Sequence, residues 1–189
     1  MPILDHFGFL APFYEKFIKP SEPEFLIDLL DLPSDGALLD AGGGTGRVAQ
    51  YMAGKVKHVV VADLSCKMLA EAKGKQGVAA VCTPSETLPF PDGSFSRIIM
   101  VDALHHVIHQ QETANELWRL LARGGILVIE EPDIRSFGVK LIALGEKILL
   151  MRSHFLSPKK IQNLFRAFPA SVAIHRDGPI AFVQVRKNK

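Results

Sequence analysis

Short β-rich runs alternate with helical patterns along most of this chain. Ala37 to Ala41, Val59 to Ala62, Val78 to Cys82, Arg97 to Val101 and Ile126 to Glu130 are the strand candidates. Stretches around Arg47 to Ala53, Ser65 to Lys73 and Glu112 to Ala122 carry helical spacing between them. Such alternation predicts a parallel sheet buried on both faces. The runs "VVVAD", "RIIMVD" and "ILVIEE" stay apolar until an acidic residue closes them, which marks the carboxyl edge of the sheet as the ligand side.

The two ends of the chain read differently. "SEPEFLIDLLDLP" predicts a helix with Ser21 as N-cap, Glu24 as its capping-box partner, Phe25, Leu26, Leu29 and Leu30 on one face, and Pro33 as the stop. Near the C-terminus, Val172 to His175 and Ile180 to Val185 form an antiparallel hairpin through Asp177, Gly178 and Pro179. Ser157 and Pro158 open a helix before it, with proline at the first helical position.

At 189 residues the chain suits one α/β domain. Hydrophobic residues at 48% and charged residues at 22% fit a folded, soluble domain. A formal charge of +2, with one dense basic run at the tail from Arg186 to Lys189, argues against nucleic acid as a partner. Cys66 and Cys82, sixteen positions apart, fit neither a CxxC redox pair nor a zinc ligand set, so no metal is expected and a reducing cytoplasm suits them. Asp5, His6, Glu15 and Lys16 interrupt the apolar N-terminus, so export is not expected.

The chemistry concentrates in "LLDAGGGTGR". Gly42, Gly44 and Gly46 follow a strand and precede a helix, and residues without Cβ let a ligand approach the main chain. A phosphate-binding P-loop is excluded because no Lys-Ser/Thr pair follows. A dinucleotide fingerprint needs a small residue where Arg47 stands. Asp40 beside the loop would repel a pyrophosphate and attract an ammonium group. Asp63, closing the next strand, suits the two hydroxyls of a ribose. Taken together, these groups describe a ligand that is an adenosine bearing an amino acid.

These segments resemble the class I S-adenosylmethionine-dependent methyltransferases over nearly the whole chain, through "LLDAGGGTGR", "VVVADLSCKML", "SETLPFPDGSFSRIIMVDALHHV" and "LARGGILVIEE". The resemblance implies an α/β fold: a doubly wound, Rossmann-like, seven-stranded sheet with six strands parallel and the last antiparallel, and helices on both faces. It implies S-adenosylmethionine as cofactor, with Gly42, Gly44 and Gly46 and the nearby Asp40 at its methionine end and Asp63 at its ribose. Leu64 would lie against adenine, Val101 and His106 would line the cofactor wall, and Ser85 and Glu86 would flank the adenine edge. There Pro84 stands where similar proteins carry an acidic residue. "FLAPFYEKFI" resembles the segment that lies over the cofactor in ubiquinone and menaquinone methyltransferases, with Tyr14 as the cap. Phe9, Phe13 and Phe17 read as core packing.

Methyl transfer from a sulfonium is an in-line displacement in which the protein's main task is alignment. A base near neutral pKa helps where the acceptor is a phenol, an enol or an activated carbon. His105, after the fourth strand, is the first candidate, and His154 in "MRSHFL" is the second. Glu130 and Glu131 face the acceptor in the same reading, and Asp133 is expected to cap a loop. Residues 1–33 would form an N-terminal helical cover and residues 132–157 an acceptor-side insertion. Its apolar stretch from Phe137 to Phe155 reads as a core helix, as a lid over a greasy acceptor, or as a weak contact with a membrane surface. The expected activity is methyl transfer to a small, apolar or aromatic acceptor in the cytoplasm. The alternative is a non-catalytic S-adenosylmethionine-binding regulatory module; oligomeric state is not readable.

Overall fold

The computed structural model describes residues 23–133 and 154–189. Its strands are β1 (Ser34–Ala41), β2 (Val56–Asp63), β3 (Val78–Cys82), β4 (Phe95–Val101), β5 (Leu121–Pro132), β6 (Ala170–Asp177) and β7 (Ile180–Lys187). Its helices are α1 (Glu24–Leu29), α2 (Cys66–Lys73), α3 (Gln110–Leu120) and α4 (Pro158–Leu164). All seven strands join one sheet in the order β3-β2-β1-β4-β5-β7-β6. β1 to β5 pair in parallel, while β7 runs antiparallel to both β5 and β6. β6 therefore points the same way as the first five, and the expected sheet of six parallel strands with a reversed last strand is present.

Continuous apolar runs are needed because the sheet is covered on both faces. Successive side chains point to opposite sides, so each run is shared between two cores. Leu39, Ile98, Leu127 and Val183 pack on one face with Ala114 and Leu117 of α3, Ile161 of α4 and Phe165. Leu38, Ile99, Val128 and Phe182 pack on the other with Leu26 of α1, Leu69 of α2, and Met52 from the turn after the glycine loop. Truncating any of the fully buried leucines to alanine costs about 2–5 kcal/mol, so the sheet is a stiff platform for the loops at its edge.

Four local expectations are corrected. α1 begins at Glu24 with Pro23 at its N-cap and no side-chain cap, so Glu24 is the first helical residue and does not serve as a capping-box partner; Ser21 lies outside the described residues. The predicted helix from Arg47 to Ala53 is a 3₁₀ turn, Ala49–Met52, because Gly54, at φ 81°, turns the chain toward β2 after only a few residues. α3 stops at Leu120, and Leu121 already pairs with Phe95 as the first residue of β5. Asp133 does not simply cap a loop: it is 6% exposed and ion-paired with Arg176 at 3.4 Å, and its amide donates to the Pro179 carbonyl.

The cysteines depart furthest from expectation. Cys66 and Cys82 form a disulfide, with Cα atoms 5.4 Å apart. The parallel ladder sets Asp63 opposite Cys82, and Cys66 lies three residues beyond Asp63 at the start of α2. Sixteen residues in sequence thus collapse to one disulfide span in space. The pairing removes the argument from cysteine usage for a reducing cytoplasm. Among the described residues, no helix is long and apolar enough to cross a membrane.

Candidate active site

Strand order reverses between β1 and β4, since the chain leaves β1 for β2 and β3 before returning to β1's other side. Open α/β sheets form a ligand crevice at the carboxyl end of such a pair. The glycine loop follows β1 and the segment from Asp102 to His106 follows β4, so the two loops flank that crevice.

The loop's conformation explains its composition. Gly42 has φ 74° and Gly44 φ 53°, a region that side chains disfavour. A Cβ on Gly42 would sit 2.6 Å from the Ala103 Cβ, and one on Gly43 would fall 2.4 Å from the Asp40 Cγ. Bare backbone is therefore required at three consecutive positions, including Gly43, which the alternating glycine spacing does not single out. The Gly42 amide donates to the Ala62 carbonyl at 2.7 Å, and Lys75 Nζ donates to the Thr45 carbonyl at 2.8 Å. Gly46, at φ 72°, closes the turn through its amide on the Gly43 carbonyl.

One carboxylate holds this loop and a second packs against it. Asp63 Oδ2 accepts from the Gly44 amide at 2.9 Å, and its Oδ1 accepts from the Ser65 amide at 2.7 Å. Asp40 lies beneath the loop, 1% exposed, and its Oδ1 has no hydrogen-bond partner. Burial, and then the Asp63 charge, push its carboxyl up to about 7, while the Arg47 guanidinium and the Ala49 amide act the other way. A buried carboxylate oxygen without a partner costs free energy until a cationic or donor group meets it.

A second acidic pair stands next to this one. Arg47 reaches Asp102 at 3.5 Å, and Asp102 itself takes φ 50°, unusual for a residue with a side chain. Glu130, at the end of β5, is pushed up to about 7 by burial and by Asp102, with Arg47 opposing. In the sequence Arg47 argues only against a dinucleotide. The acidic residues closing three strands were the available signal that a cation would be needed among them.

At the adenine edge, Leu64 is 74% exposed beside Asp63. The Thr83 amide donates to the Asp63 carbonyl at 2.9 Å, Ser85 Oγ lies 3.5 Å from Thr113 Oγ1, and Glu86 is half-buried. Val101 is 9% exposed at the end of β4. Tyr14 and most of the stretch from Phe137 to Phe155 lie outside the described residues.

The histidines divide. His105 is buried at 5% exposure, where its Nδ1 lies 2.6 Å from Glu131 Oε2. Glu131 is itself 3% exposed, and its Oε1 accepts from the Leu104 amide at 2.7 Å. The His105 ring stacks on Phe155, centroids 4.3 Å apart and planes 10° from parallel. His106 lies against the other ring at 3.9 Å, and burial, then the His105 charge, bring it down to about 4, so it is neutral near pH 7. The His154 side chain is exposed, and its backbone is fastened to this corner: its amide donates to the His105 carbonyl at 2.6 Å and its carbonyl accepts from Gln110 Nε2 at 2.8 Å. The first candidate is therefore an enclosed, carboxylate-paired ring, whereas the second faces solvent.

The cradle that a Cβ would fill, the orphaned Asp40 oxygen beneath it and the apolar Leu64 beside Asp63 suit a nucleoside with a cationic amino-acid arm. Comparison with known proteins agrees. Residues 39–129 match the family model described as "Methyltransferase domain". The ubiquinone/menaquinone biosynthesis C-methyltransferase UbiE of Pseudomonas putida (strain GB-1) is 34% identical over 117 residues, 57% of this chain and 46% of the relative. UbiE of Stutzerimonas stutzeri (strain A1501) is 28% identical over 166 residues, 81% of this chain and 64% of the relative. The chain thus spans about half to two thirds of the length of the curated relatives it matches. A crystal structure of a SAM-dependent methyltransferase from Thermotoga maritima superposes with a TM-score of 0.77 at 22% identity, covering 96% of this chain and 98% of that one. Residues 39–129 thus match a methyltransferase domain, and the sheet around them has the fold of solved S-adenosylmethionine-dependent methyltransferases.

Proposed function

We propose that this chain transfers a methyl group from S-adenosylmethionine to a small apolar or aromatic acceptor. The observation that carries the reading is the glycine loop held by the Asp63 carboxylate and packed on a second, buried carboxylate, Asp40, with an orphaned oxygen. In this reading Asp40 and the bare loop backbone at Gly42, Gly44 and Gly46 lie against the amino-acid end, which approaches closely because no Cβ stands there. Asp63 takes the ribose hydroxyls, exposed Leu64 covers one adenine face, and Ser85 and Glu86 border its edge. Val101 and His106 wall the cofactor on the β4 side, and Tyr14 caps it. When bound, the cofactor supplies an electrophilic methyl on sulfur.

The protein's own task is to position the acceptor in line and to keep the site dry. His106, neutral near pH 7, contributes a wall without a charge that would repel a sulfonium. His105 serves as the proton acceptor and His154 as the alternative. Phe155, stacked on His105, supports an aromatic or apolar acceptor. Relatives named as C-methyltransferases of ubiquinone and menaquinone biosynthesis support the same class.

Calorimetric titration with S-adenosylhomocysteine tests the reading. The expected outcome is saturable binding in the wild type and an affinity about 100-fold lower in Asp63→Ala, the loss appropriate to charge-assisted hydrogen bonds. Heat from NAD with none from S-adenosylhomocysteine would overturn the assignment. Radiolabelled methyl transfer into small molecules of a cell extract, absent in Asp63→Ala, is the matching test of turnover.

A further inference from the structure

Glu131 has an arrangement that cofactor binding does not explain. It closes β5, is 3% exposed, and directs both oxygens at the turn after β4: Oε1 at the Leu104 and His105 amides, 2.7 and 3.4 Å away, and Oε2 at the His105 ring, 2.6 Å away. A buried carboxylate costs several kcal/mol to desolvate unless such partners meet it. Both oxygens are spent on one short segment, so the carboxylate sets the backbone and the ring orientation of a single histidine together.

A carboxylate at Nδ1 also selects the tautomer. With Nδ1–H donating to Glu131, the neutral ring keeps its basic lone pair on Nε2. We infer that Glu131 is a positioning residue that fixes His105 as the base removing the acceptor's proton during methyl transfer. This rests on the proposed activity and deepens it, because it restricts the acceptor to molecules whose nucleophile must lose a proton: phenols, enols, and quinol-type carbons activated by ring hydroxyls. Acceptors that react through a free lone pair, such as tertiary amines and thioethers, gain nothing from the pair.

The step balances. The acceptor's O–H or C–H bond breaks and its proton passes to the imidazole. Its electron pair forms the bond to the methyl carbon as the carbon–sulfur bond breaks, the latter pair remaining on sulfur. The imidazolium then returns the proton to water. Glu131 stabilises the imidazolium by charge, and the Phe155 ring on one face of His105 keeps solvent from that face.

The geometry is tested with Glu131→Gln, which keeps shape and hydrogen bonding while removing charge, and with Glu131→Asp as the conservative variant. Histidine-labelled protein followed by NMR, with His105 assigned by its loss in His105→Asn, gives a readout that needs no acceptor. Expected is a His105 titration midpoint lower by about one pH unit or more in Glu131→Gln, and partly restored in Glu131→Asp. His106 and Glu130 titrate nearby and keep their own side chains in both variants; Glu130, which the Glu131 charge helps to push up, moves down in Glu131→Gln, at a site distinct from the His105 signal. With 1,4-naphthohydroquinone as probe acceptor, kcat falls about 100-fold in Glu131→Gln, and the acid limb of its pH profile moves down with the NMR midpoint. Affinity for S-adenosylhomocysteine stays within twofold. An unmoved His105 midpoint overturns the inference, and so does a lowered kcat with an unmoved acid limb, which marks a structural role alone. Wild-type protein that does not bind S-adenosylhomocysteine while His105 still shifts would sink the proposed activity and leave the pairing standing.

Discussion

The crevice has two corners built on opposite principles. At the β1–β2 corner the protein offers main chain: glycines at 42, 43 and 44 present backbone without side chains, and Asp63 holds the loop through the Gly44 amide while Leu64 stays open to solvent. At the β4–β5 corner it offers side chains already matched to each other, His105 to Glu131 and His105 to Phe155, the first two buried and Phe155 half-buried. The first corner leaves groups unsatisfied for a ligand to complete, as the Asp40 oxygen illustrates. The second satisfies its polar groups internally and holds one orientation. Recognition of an invariant cofactor suits the first arrangement, and tuning of one proton suits the second.

The largest break in this comparison is expected at the second corner. Glu131→Leu leaves the buried Leu104 amide and the His105 ring without their carboxylate, and removing one partner of a buried pair costs about 3–5 kcal/mol. Urea denaturation should report that loss, whereas affinity for S-adenosylhomocysteine in the folded protein should change less than threefold. A variant as stable as the wild type would show that the pair contributes nothing to holding the corner. The contrast with Asp63→Ala, which should lose affinity more than stability, separates the two corners cleanly.

Reduction of the Cys66–Cys82 disulfide is the next largest. It closes a loop over a sequence separation of 16, for which chain entropy alone gives about 3 kcal/mol. Both sulfurs lie on exposed residues, so a dithiol should reach them. Thermal unfolding with and without reductant should show the drop. The Asp63 carboxylate keeps its two amide donors and β3 keeps its parallel ladder, so binding of S-adenosylhomocysteine should persist after reduction. Loss of binding on reduction would mean that the disulfide, and not those hydrogen bonds, holds the first corner.

How much of this was legible follows the same division. The succession of strands along the chain, the glycine loop and the acids at Asp40 and Asp63 are local patterns, each readable within a few residues. Elements were displaced where a turn or a pairing partner decided the boundary, as at Gly54 and at Leu121 opposite Phe95. The disulfide and the His105–Glu131 pair were not legible, because each depends on which strands are neighbours: β2 beside β3, and β4 beside β5. "LHHV" marks two histidines equally, and only the register of Glu130 opposite Val101 brings Glu131 to the first of them. Arg47 likewise becomes informative only once Asp102 and Glu130 converge on it.

The smallest effect sharpens the first corner through pH. Burial and Asp63 raise the Asp40 carboxyl to about 7 in the ligand-free protein, so near neutrality it is partly protonated. An ammonium arm is bound by the ionised form, so affinity should rise with pH up to about 7 and level off above it, by at most about tenfold per unit on the rising side. Stability runs the other way. Between about 4 and 7 the folded chain keeps a proton that the unfolded chain has released, so the folded state loses stability as pH rises through that window. Glu130, raised by burial and by Asp102, adds to the same slope and couples to Asp40 through the charges they share. Calorimetry with S-adenosylhomocysteine at pH 6 and pH 8 should show tighter binding at the higher value with proton release at the lower. Asp40→Asn should bind more weakly and flatten the dependence. Equal affinity at both pH values would mean that Asp40 is already ionised before the ligand arrives, and that the orphaned oxygen has found another partner.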